Sequence, residues 1–298
     1  MKNKVIASIL GILAFCACQP NDLVTDAMND ADAADIGGDV NKPNVPLTFI
    51  SSGYNSIGLK KHLNPHFLVY LDYKLNNGKW NLYEIGDLIH LNDGDRVSFQ
   101  ARGSGNKAFN GIGVNGKGGY YSFSISGDGT VAASGNIMSL VNQTMETLEI
   151  PDDFYFSKLF YNCKGLTSAP ELPATTLTWA CYQDMFYGCT SLTKAPELPA
   201  TTLTWGCYRE MFYGCTSLTT APELPATTLA DYCYQEMFNG CRNLNYVKAL
   251  FTTIPEKKST LMWLNGVSGK GTFVKSKDAD WNVTGPSGIP NGWTVTTE

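Results

Sequence analysis

The acidic residues in the middle of the chain recur at a spacing of 26 residues. Two such series occur: Glu171, Glu197, Glu223 and Asp184, Glu210, Glu236. Hydrolysis of a glycosidic bond requires two carboxylates that oppose each other across that bond. Copies of one position in stacked repeats instead form a column of like charge. This favours a solvated edge, with a weak calcium ladder as the alternative. We therefore predict that these carboxylates are not catalytic.

Other patterns resemble chemical sites but lack the context that each site requires. The stretch Gly111–Lys117 satisfies Gly-x-Gly-x-x-Gly, yet Gly118 stands where a phosphate loop needs Ser or Thr, and a strand pattern follows in place of a helix. His62 and His66 are four residues apart, but Pro65 between them argues against a helix that would place both rings on one face. We predict no catalytic residue, no metal and no cofactor, with a hydrolase as a less favoured alternative.

Aromatic residues repeat at the same spacing, and some columns keep their residue type more strictly than others. One column is phenylalanine in every copy, which indicates the core: Phe160, Phe186, Phe212 and Phe238. Two other columns end in Asp231 and Asn239, and burying a carboxylate in a dry core is costly, so these columns are expected at the surface. Exposed aromatic rings stack on sugars or anchor protein partners, whereas lateral packing between repeats is the alternative. The candidate ligand-binding residues are Trp179, Trp205, Tyr187 and Tyr213.

These columns arise from a repeated segment that we place at residues 149–247. Cysteines mark its period of 26 residues in two series: Cys163, Cys189, Cys215, Cys241 and Cys181, Cys207, Cys233. Repeats of this length are units that bury their apolar faces against their neighbours. We predict a short solenoid in which Ser191 to Ala195 is a strand and Cys181 to Tyr187 a single helical turn or 3₁₀ segment, with the cysteines as free, packed thiols.

Residues 47–148 show the alternation of apolar and polar side chains that is typical of β-strands. Phe67 to Leu75 alternate, and Asn76-Asn77-Gly78 is a hairpin signal. The predicted fold class is therefore mainly β with short helical turns. An N-terminal β-sandwich of the immunoglobulin-like type is followed by the solenoid and by a C-terminal capping region at 248–298. In that region Trp263, Trp281 and Trp293 are expected to cover the last repeat.

The N-terminus has the features of an exported lipoprotein. Lys2 and Lys4 precede an apolar run, and Ala17-Cys18 resembles a bacterial lipobox in which Cys18 is lipidated. We predict a signal peptide at 1–17 and a disordered acidic tether at 18–46, with secretion of a soluble product as the alternative. The net charge of −5 and the lack of a basic run argue against nucleic acid as a partner.

The repeat motif resembles that of the BspA-like leucine-rich-repeat surface proteins of Bacteroides-type bacteria. The residues that carry the resemblance are Met185-Phe186-x-x-Cys189-x-Ser191-Leu192 and their equivalents one repeat later, within residues 155–247. The repeat here is longer than the common family unit, and Ala-Pro-Glu-Leu-Pro replaces the usual end of the strand. The resemblance implies that the solenoid is of the leucine-rich-repeat type. It also implies display on the cell surface and adhesion to host matrix or to other cells.

Together these features predict a cell-surface lipoprotein that acts as a non-catalytic adhesion or interaction module. Its expected partners are a host matrix protein, another cell-surface protein or a glycan. We expect the protein to be a monomer in the cell envelope, on the exterior of the outer membrane, attached to the membrane by lipid only. The alternative function is a glycan-binding lipoprotein that captures polysaccharide.

Overall fold

The computed structural model describes residues 44–63, 65, 67–103, 105–107, 109, 118–255 and 258–298. The strands within these residues are β1 (Leu47–Ser52), β2 (Asn55–His62), β3 (Leu71–Leu75), β4 (Asn81–Tyr83), β5 (Ile89–Leu91), β6 (Arg96–Ala101), β7 (Tyr120–Gly127), β8 (Thr130–Ser134), β9 (Leu166–Ser168), β10 (Tyr246–Ala249), β11 (Thr272–Lys275) and β12 (Thr294–Thr297). They form a six-stranded sheet in the order β4-β3-β6-β1-β8-β9 and two three-stranded sheets, β5-β2-β7 and β10-β11-β12. One 3₁₀ turn spans Ile137–Leu140.

The front of the molecule consists of two sheets that pack face to face. In β6, Val97, Phe99 and Ala101 are buried while the residues between them are more exposed, which is the period of two expected for a strand with one face in the core. The ring of Phe49 on β1 lies 4.9 Å from that of Phe123 on β7, so the two sheets share their apolar filling.

The predicted hairpin at Asn76-Asn77-Gly78 is confirmed, since β3 and β4 pair antiparallel across it. The turn at Ser126 to Gly129 carries the chain from one sheet to the other, because β7 pairs with β2 whereas β8 pairs with β1. Gly127 is needed at this turn. Its φ is 135°, and a Cβ there would lie 2.3 Å from the carbonyl oxygen of Tyr54.

The predicted fold class, an immunoglobulin-like sandwich followed by a leucine-rich-repeat solenoid, is wrong, although the described residues are mainly β as predicted. The six-stranded sheet does not end at the front of the molecule, because β8 pairs in parallel with β9 of the first repeat. The described residues contain no α-helix, and between 149 and 245 they form one strand, β9, with isolated bridges such as Ser168 to Lys194. Prolines at 196 and 199 lack the N–H that a continuous ladder of strands requires. The predicted strand at Ser191 to Ala195 is therefore reduced to the single bridge at Lys194.

The repeats are joined instead by a series of turns, which we call the turn ladder: residues 154–163, 180–189, 206–215 and 232–241. The backbone N–H groups alternate along each segment: one donates to a carbonyl of the same repeat, and the following one donates to a carbonyl of the next repeat. Met185 donates to the carbonyl of Tyr182 at 3.2 Å, and Phe186 donates to that of Met211 at 2.9 Å. Every fourth residue has a positive φ, as at Ala180 (50°), Asp184 (55°) and Gly188 (70°). The left-handed conformation costs roughly 1–2 kcal/mol at a non-glycine residue, and the hydrogen bonds between repeats offset that cost.

A column of phenylalanine rings runs through the centre of the turn ladder. Phe186 stacks on Phe160 with centroids 5.3 Å apart, and Phe212 stacks on Phe186 at 5.6 Å and on Phe238 at 5.5 Å. The column continues into the front sheets, because Phe160 also stacks on Phe123 at 5.5 Å. The prediction that these phenylalanines form the core is confirmed, and the front sheets and the repeats share one hydrophobic core.

The cysteines form a second internal column and also contribute hydrogen bonds. The thiols of Cys189, Cys215 and Cys241 each donate to the carbonyl of a phenylalanine one repeat earlier, at 3.1, 3.1 and 3.0 Å. The predicted packing of the cysteines is confirmed: the seven in the described part of the chain are buried free thiols. A cysteine suits this position because it is a small hydrophobic residue with a weak donor.

We expect the seven buried cysteines to resist alkylation in the folded protein. Burial raises the pKa of Cys163, Cys207 and Cys241 to about 12, so the nucleophilic thiolate is nearly absent at neutral pH. Iodoacetamide labelling followed by peptide mass spectrometry should show these cysteines unmodified in the native protein and fully modified in urea. Rapid native labelling of Cys189 or Cys215 would contradict the packing described here.

The C-terminal region ends in a parallel sheet that continues the stacking. Val247 of β10 lies beside Phe273 of β11, which lies beside Val295 of β12. Trp263 is fully buried, and its ring stacks on Tyr234 of the last turn-ladder segment at 6.2 Å. Trp281 and Trp293 are also buried, and both donate their indole N–H to backbone carbonyls.

Candidate functional site

The turn ladder has an inner side and an outer side because its side chains alternate in pairs. Cys181-Tyr182 and Met185-Phe186 are buried in the core. The intervening pairs, Gln183-Asp184 and Tyr187-Gly188, lie on the other side. Trp179 lies on that side too, because it precedes Gln183 by four residues. We call this side the outer face; it comprises residues 179, 183, 184 and 187 with their equivalents in the neighbouring repeats. All four predicted ligand-binding residues lie on it: Trp179, Trp205, Tyr187 and Tyr213.

The tyrosines of the outer face stack on one another. The ring centroid of Tyr187 lies 4.9 Å from that of Tyr161 and 4.6 Å from that of Tyr213, with the planes within 18° of parallel. Both faces of the Tyr187 ring are therefore covered by protein, and the ring edges are what a partner can reach. In the next repeat the column continues as Asn239, whose side-chain oxygen accepts from Asn265 at 2.9 Å.

The tryptophans of the outer face are less enclosed than the tyrosines. Trp179 is 59% exposed, and its backbone N–H donates to the carboxylate of Asp153 at 2.8 Å. Trp205 is half-buried and packs against Tyr232 at 5.5 Å with a tilt of 54°. Tyr232 was not among the candidates predicted from the sequence. Asp231 replaces the tryptophan of the earlier repeats, and Tyr232 directly after it restores an aromatic ring next to that column.

Charged residues separate the two aromatic columns, and the predicted solvated edge is wrong at Asp184, whose side chain is buried. Asp184 pairs with Lys158 at 3.5 Å, and Glu210 pairs with Arg209 at 3.0 Å. Burial raises the pKa of both carboxyls, and the charge of Asp184 further raises the pKa of Glu210. In the part of the chain that the structure describes, no three His, Cys, Asp or Glu side chains are grouped so as to hold a metal ion.

Arg209 was also not among the candidates predicted from the sequence. The only sequence feature that could have identified it is that arginine replaces the glutamine of the neighbouring repeats.

We expect Asp184→Asn to increase the free energy of unfolding at neutral pH. A carboxyl with a raised pKa in the folded state binds its proton more tightly there than in the unfolded chain. The contribution of Asp184 to the free energy of unfolding therefore falls as the pH rises from the pKa of the unfolded chain, about 3.8, through the higher pKa of the folded protein. Asparagine removes this loss and also tolerates the positive φ. Urea unfolding between pH 4 and pH 7 should show a flatter pH dependence for the variant, with the exposed Asp152→Asn as control. An unchanged or steeper dependence would contradict the assignment.

The remaining sequence candidates lie away from the outer face or outside the described residues. His62 ends β2, where its ring stacks on Tyr120 at 4.4 Å and its Nε2 lies 2.9 Å from the hydroxyl of Ser122. Burial and, to a smaller extent, the charge of Lys60 lower the pKa of His62. Cys18, His66 and the Gly111–Lys117 stretch lie outside the described residues.

The chain was compared with protein families, with curated proteins and with solved structures, and none of them matches. Among the described residues there is no helix with the length and apolar character that crossing a bilayer requires.

Proposed function

We propose that this chain is a cell-surface lipoprotein that acts as a non-catalytic adhesion module and binds a protein partner through the outer face. The observation that carries this proposal is the grouping of Trp179, Trp205, Tyr187, Tyr213 and Arg209 on one side of the turn ladder. Tryptophan, tyrosine and arginine are the residues that contribute most binding energy at protein interfaces.

The fixed backbone of the turn ladder favours binding. Each segment is hydrogen-bonded to the next repeat through its backbone. The N–H of Tyr182 donates to the carbonyl of Cys207, and the N–H of Asp184 donates to the carbonyl of Arg209. The stacked tyrosines already have one orientation in the free protein. Less conformational entropy is therefore lost when a partner binds than would be lost by mobile loops.

The proposed location rests on the N-terminal sequence. Lipidation at Cys18 would hold the protein in the cell envelope, on the exterior of the outer membrane, and the acidic segment up to residue 46 would separate the folded part from the lipid. In this arrangement the outer face meets partners outside the cell, such as a host matrix protein or a protein on another cell.

The proposal is tested by measuring retention of the full-length chain on immobilised matrix proteins and on bacterial cells. We expect saturable binding to at least one of these surfaces, and no binding by a variant that carries both Trp179→Ala and Trp205→Ala. Failure of the wild-type protein to bind any of these surfaces would overturn the adhesion proposal, as would undiminished binding by the variant.

Glycan binding is the second candidate, and the exposure of Trp179 is the observation that favours it. A sugar ring stacks on the face of an aromatic ring, and 59% of Trp179 is open to solvent. The tyrosines support this candidate less well, because the faces of Tyr187 are covered by Tyr161 and Tyr213. Binding on a glycan array that is lost with Trp179→Ala alone would favour this candidate over a protein partner.

A further inference from the structure

A cleft of about 620 Å³ opens at the front of the molecule, on the sheets that precede the repeats. We call it the front cleft; its walls include Lys61, Leu68, Tyr70, Leu82, Tyr83 and Tyr121. Its volume is in the range of small-molecule sites, roughly 300–1,000 Å³. None of its residues belongs to the outer face, so what it binds is a separate question from the proposed adhesion.

The apolar side chains of the front cleft are exposed although the backbone that carries them is fixed. Leu68 is 64% exposed, Tyr70 is 53% exposed and Leu82 is 47% exposed. The backbone N–H of Tyr70 donates to the side chain of Asn106 at 2.8 Å, and its carbonyl accepts from the N–H of Arg102 at 3.0 Å. Several large apolar groups held open around one concavity are typical of a binding surface.

The floor of the front cleft is held in place by tyrosine hydroxyls. Tyr83 accepts from the N–H of Leu59 at 2.7 Å and donates to the carbonyl of Asp87 at 2.7 Å. Tyr121 donates to the carbonyl of Phe67 at 3.0 Å. These hydroxyls are satisfied within the protein, and the rings of Tyr83 and Tyr121 are buried beneath the cleft, so they support its floor.

The charge at the rim is positive, although the chain as a whole carries a net charge of −5. Lys60 and Lys61 border the cleft, with Glu84 as the acidic residue. Lys61 lies beside Tyr121 across the β2–β7 pair and so shares the cleft side of the sheet with that ring. Among the described residues, no carboxylate forms an ion pair with Lys61.

We propose that the front cleft binds an anionic amphiphile. Its apolar part packs against Leu68, Tyr70 and Leu82, and its carboxylate or phosphate lies beside Lys61. The exposed apolar walls supply the hydrophobic contact, and the ammonium group of Lys61 supplies the charge complementarity that selects an anion. A free fatty carboxylate and an anionic lipid headgroup with its acyl chain share this chemistry.

Calorimetric titration of the full-length protein with decanoate tests the proposal. We expect saturable binding of decanoate and none of acetate or decyltrimethylammonium. Leu68→Ser should weaken decanoate binding about tenfold, since a buried leucine contributes on that order. Lys61→Glu should abolish the preference for decanoate over decyltrimethylammonium. Leu148→Ser and Lys277→Glu are matched controls for an exposed leucine and an exposed lysine outside the cleft, and should leave binding unchanged.

Vesicles of phosphatidylcholine with and without phosphatidylglycerol distinguish the two sources of the ligand. Binding to decanoate and to the anionic vesicles supports a lipid ligand, and binding to decanoate alone supports a free amphiphile. The proposal is overturned if neither probe binds saturably or if decyltrimethylammonium binds as tightly as decanoate. It is also overturned if Leu148→Ser weakens binding as much as Leu68→Ser. Since these variants leave the outer face intact, retention on matrix proteins is measured independently.

Discussion

Replacing Phe212 by alanine is expected to lower the free energy of unfolding by about 3–5 kcal/mol. The side chain is fully buried, and both faces of its ring are covered, by Phe186 and by Phe238. Alanine would leave a cavity in the middle of the phenylalanine column, where the neighbouring rings are fixed by the hydrogen bonds between repeats. Equilibrium unfolding in guanidinium chloride measures the change.

The conservative variant Phe212→Leu is the control for this prediction. Leucine keeps most of the buried volume, so its cost should stay below about 1.5 kcal/mol. A loss of less than about 1 kcal/mol for Phe212→Ala would mean that the column is not the tightly packed centre of the repeats.

Removing the indole of Trp263 is expected to have an effect of similar size at the C-terminal end of the core. The ring contacts Tyr234, Phe251 and Phe273, with centroids 6.2, 5.7 and 6.0 Å away. Its Nε1 donates to the carbonyl of Gly288 at 2.9 Å. Trp263→Ala should therefore cost about 3–5 kcal/mol for the lost packing, and about 1 kcal/mol more for the carbonyl left unpaired.

Trp263→Phe separates the two contributions, because phenylalanine restores part of the ring but not the indole N–H. Its cost should be about 1–3 kcal/mol, and thermal and chemical unfolding should rank the three proteins in the same order. Equal stability of Trp263→Ala and the wild-type protein would contradict the role given to this ring.

The sequence was a good guide to which apolar columns are buried and a poor guide to the backbone that carries them. Phe186 and Phe212 could be assigned to the core because identical apolar residues in every copy indicate burial. Lys158 and Glu210 have positive φ values, which no residue-type preference predicts for these side chains. This conformation is stabilised by hydrogen bonds to the next repeat, which a single repeat read alone does not reveal. The predicted solenoid failed for this reason.

The front sheets show the same limit of sequence reasoning. Alternation of side chains predicted the strands, and Asn76-Asn77-Gly78 predicted one hairpin. The sheet in which each strand lies was not predictable, because the turn at Gly127 changes sheets although its residue types also fit a hairpin. The continuation of β8 into β9 depends on long-range pairing that local patterns do not contain.

The candidate site was predicted in part. Trp179 and Tyr187 could be placed at the surface because their columns end in polar residues, and the structure puts both on the outer face. The stacking of the tyrosines was left open by the sequence, since side chains one repeat apart could either cover each other or stand free. Tyr232 and Arg209 were missed because each departs from the repeated pattern in a single copy.

The most direct test of this account compares two exposed aromatic residues in one binding assay. The wild-type protein, Trp179→Ala and Tyr54→Ala are titrated against the matrix or cell-surface protein that retains the wild type. Trp179 is on the outer face, whereas Tyr54, which is 53% exposed, lies at the front of the molecule beside His90. We expect Trp179→Ala to weaken binding at least about tenfold and Tyr54→Ala to leave it unchanged. Equal weakening by both variants, or none by Trp179→Ala, would contradict the assignment of binding to the outer face.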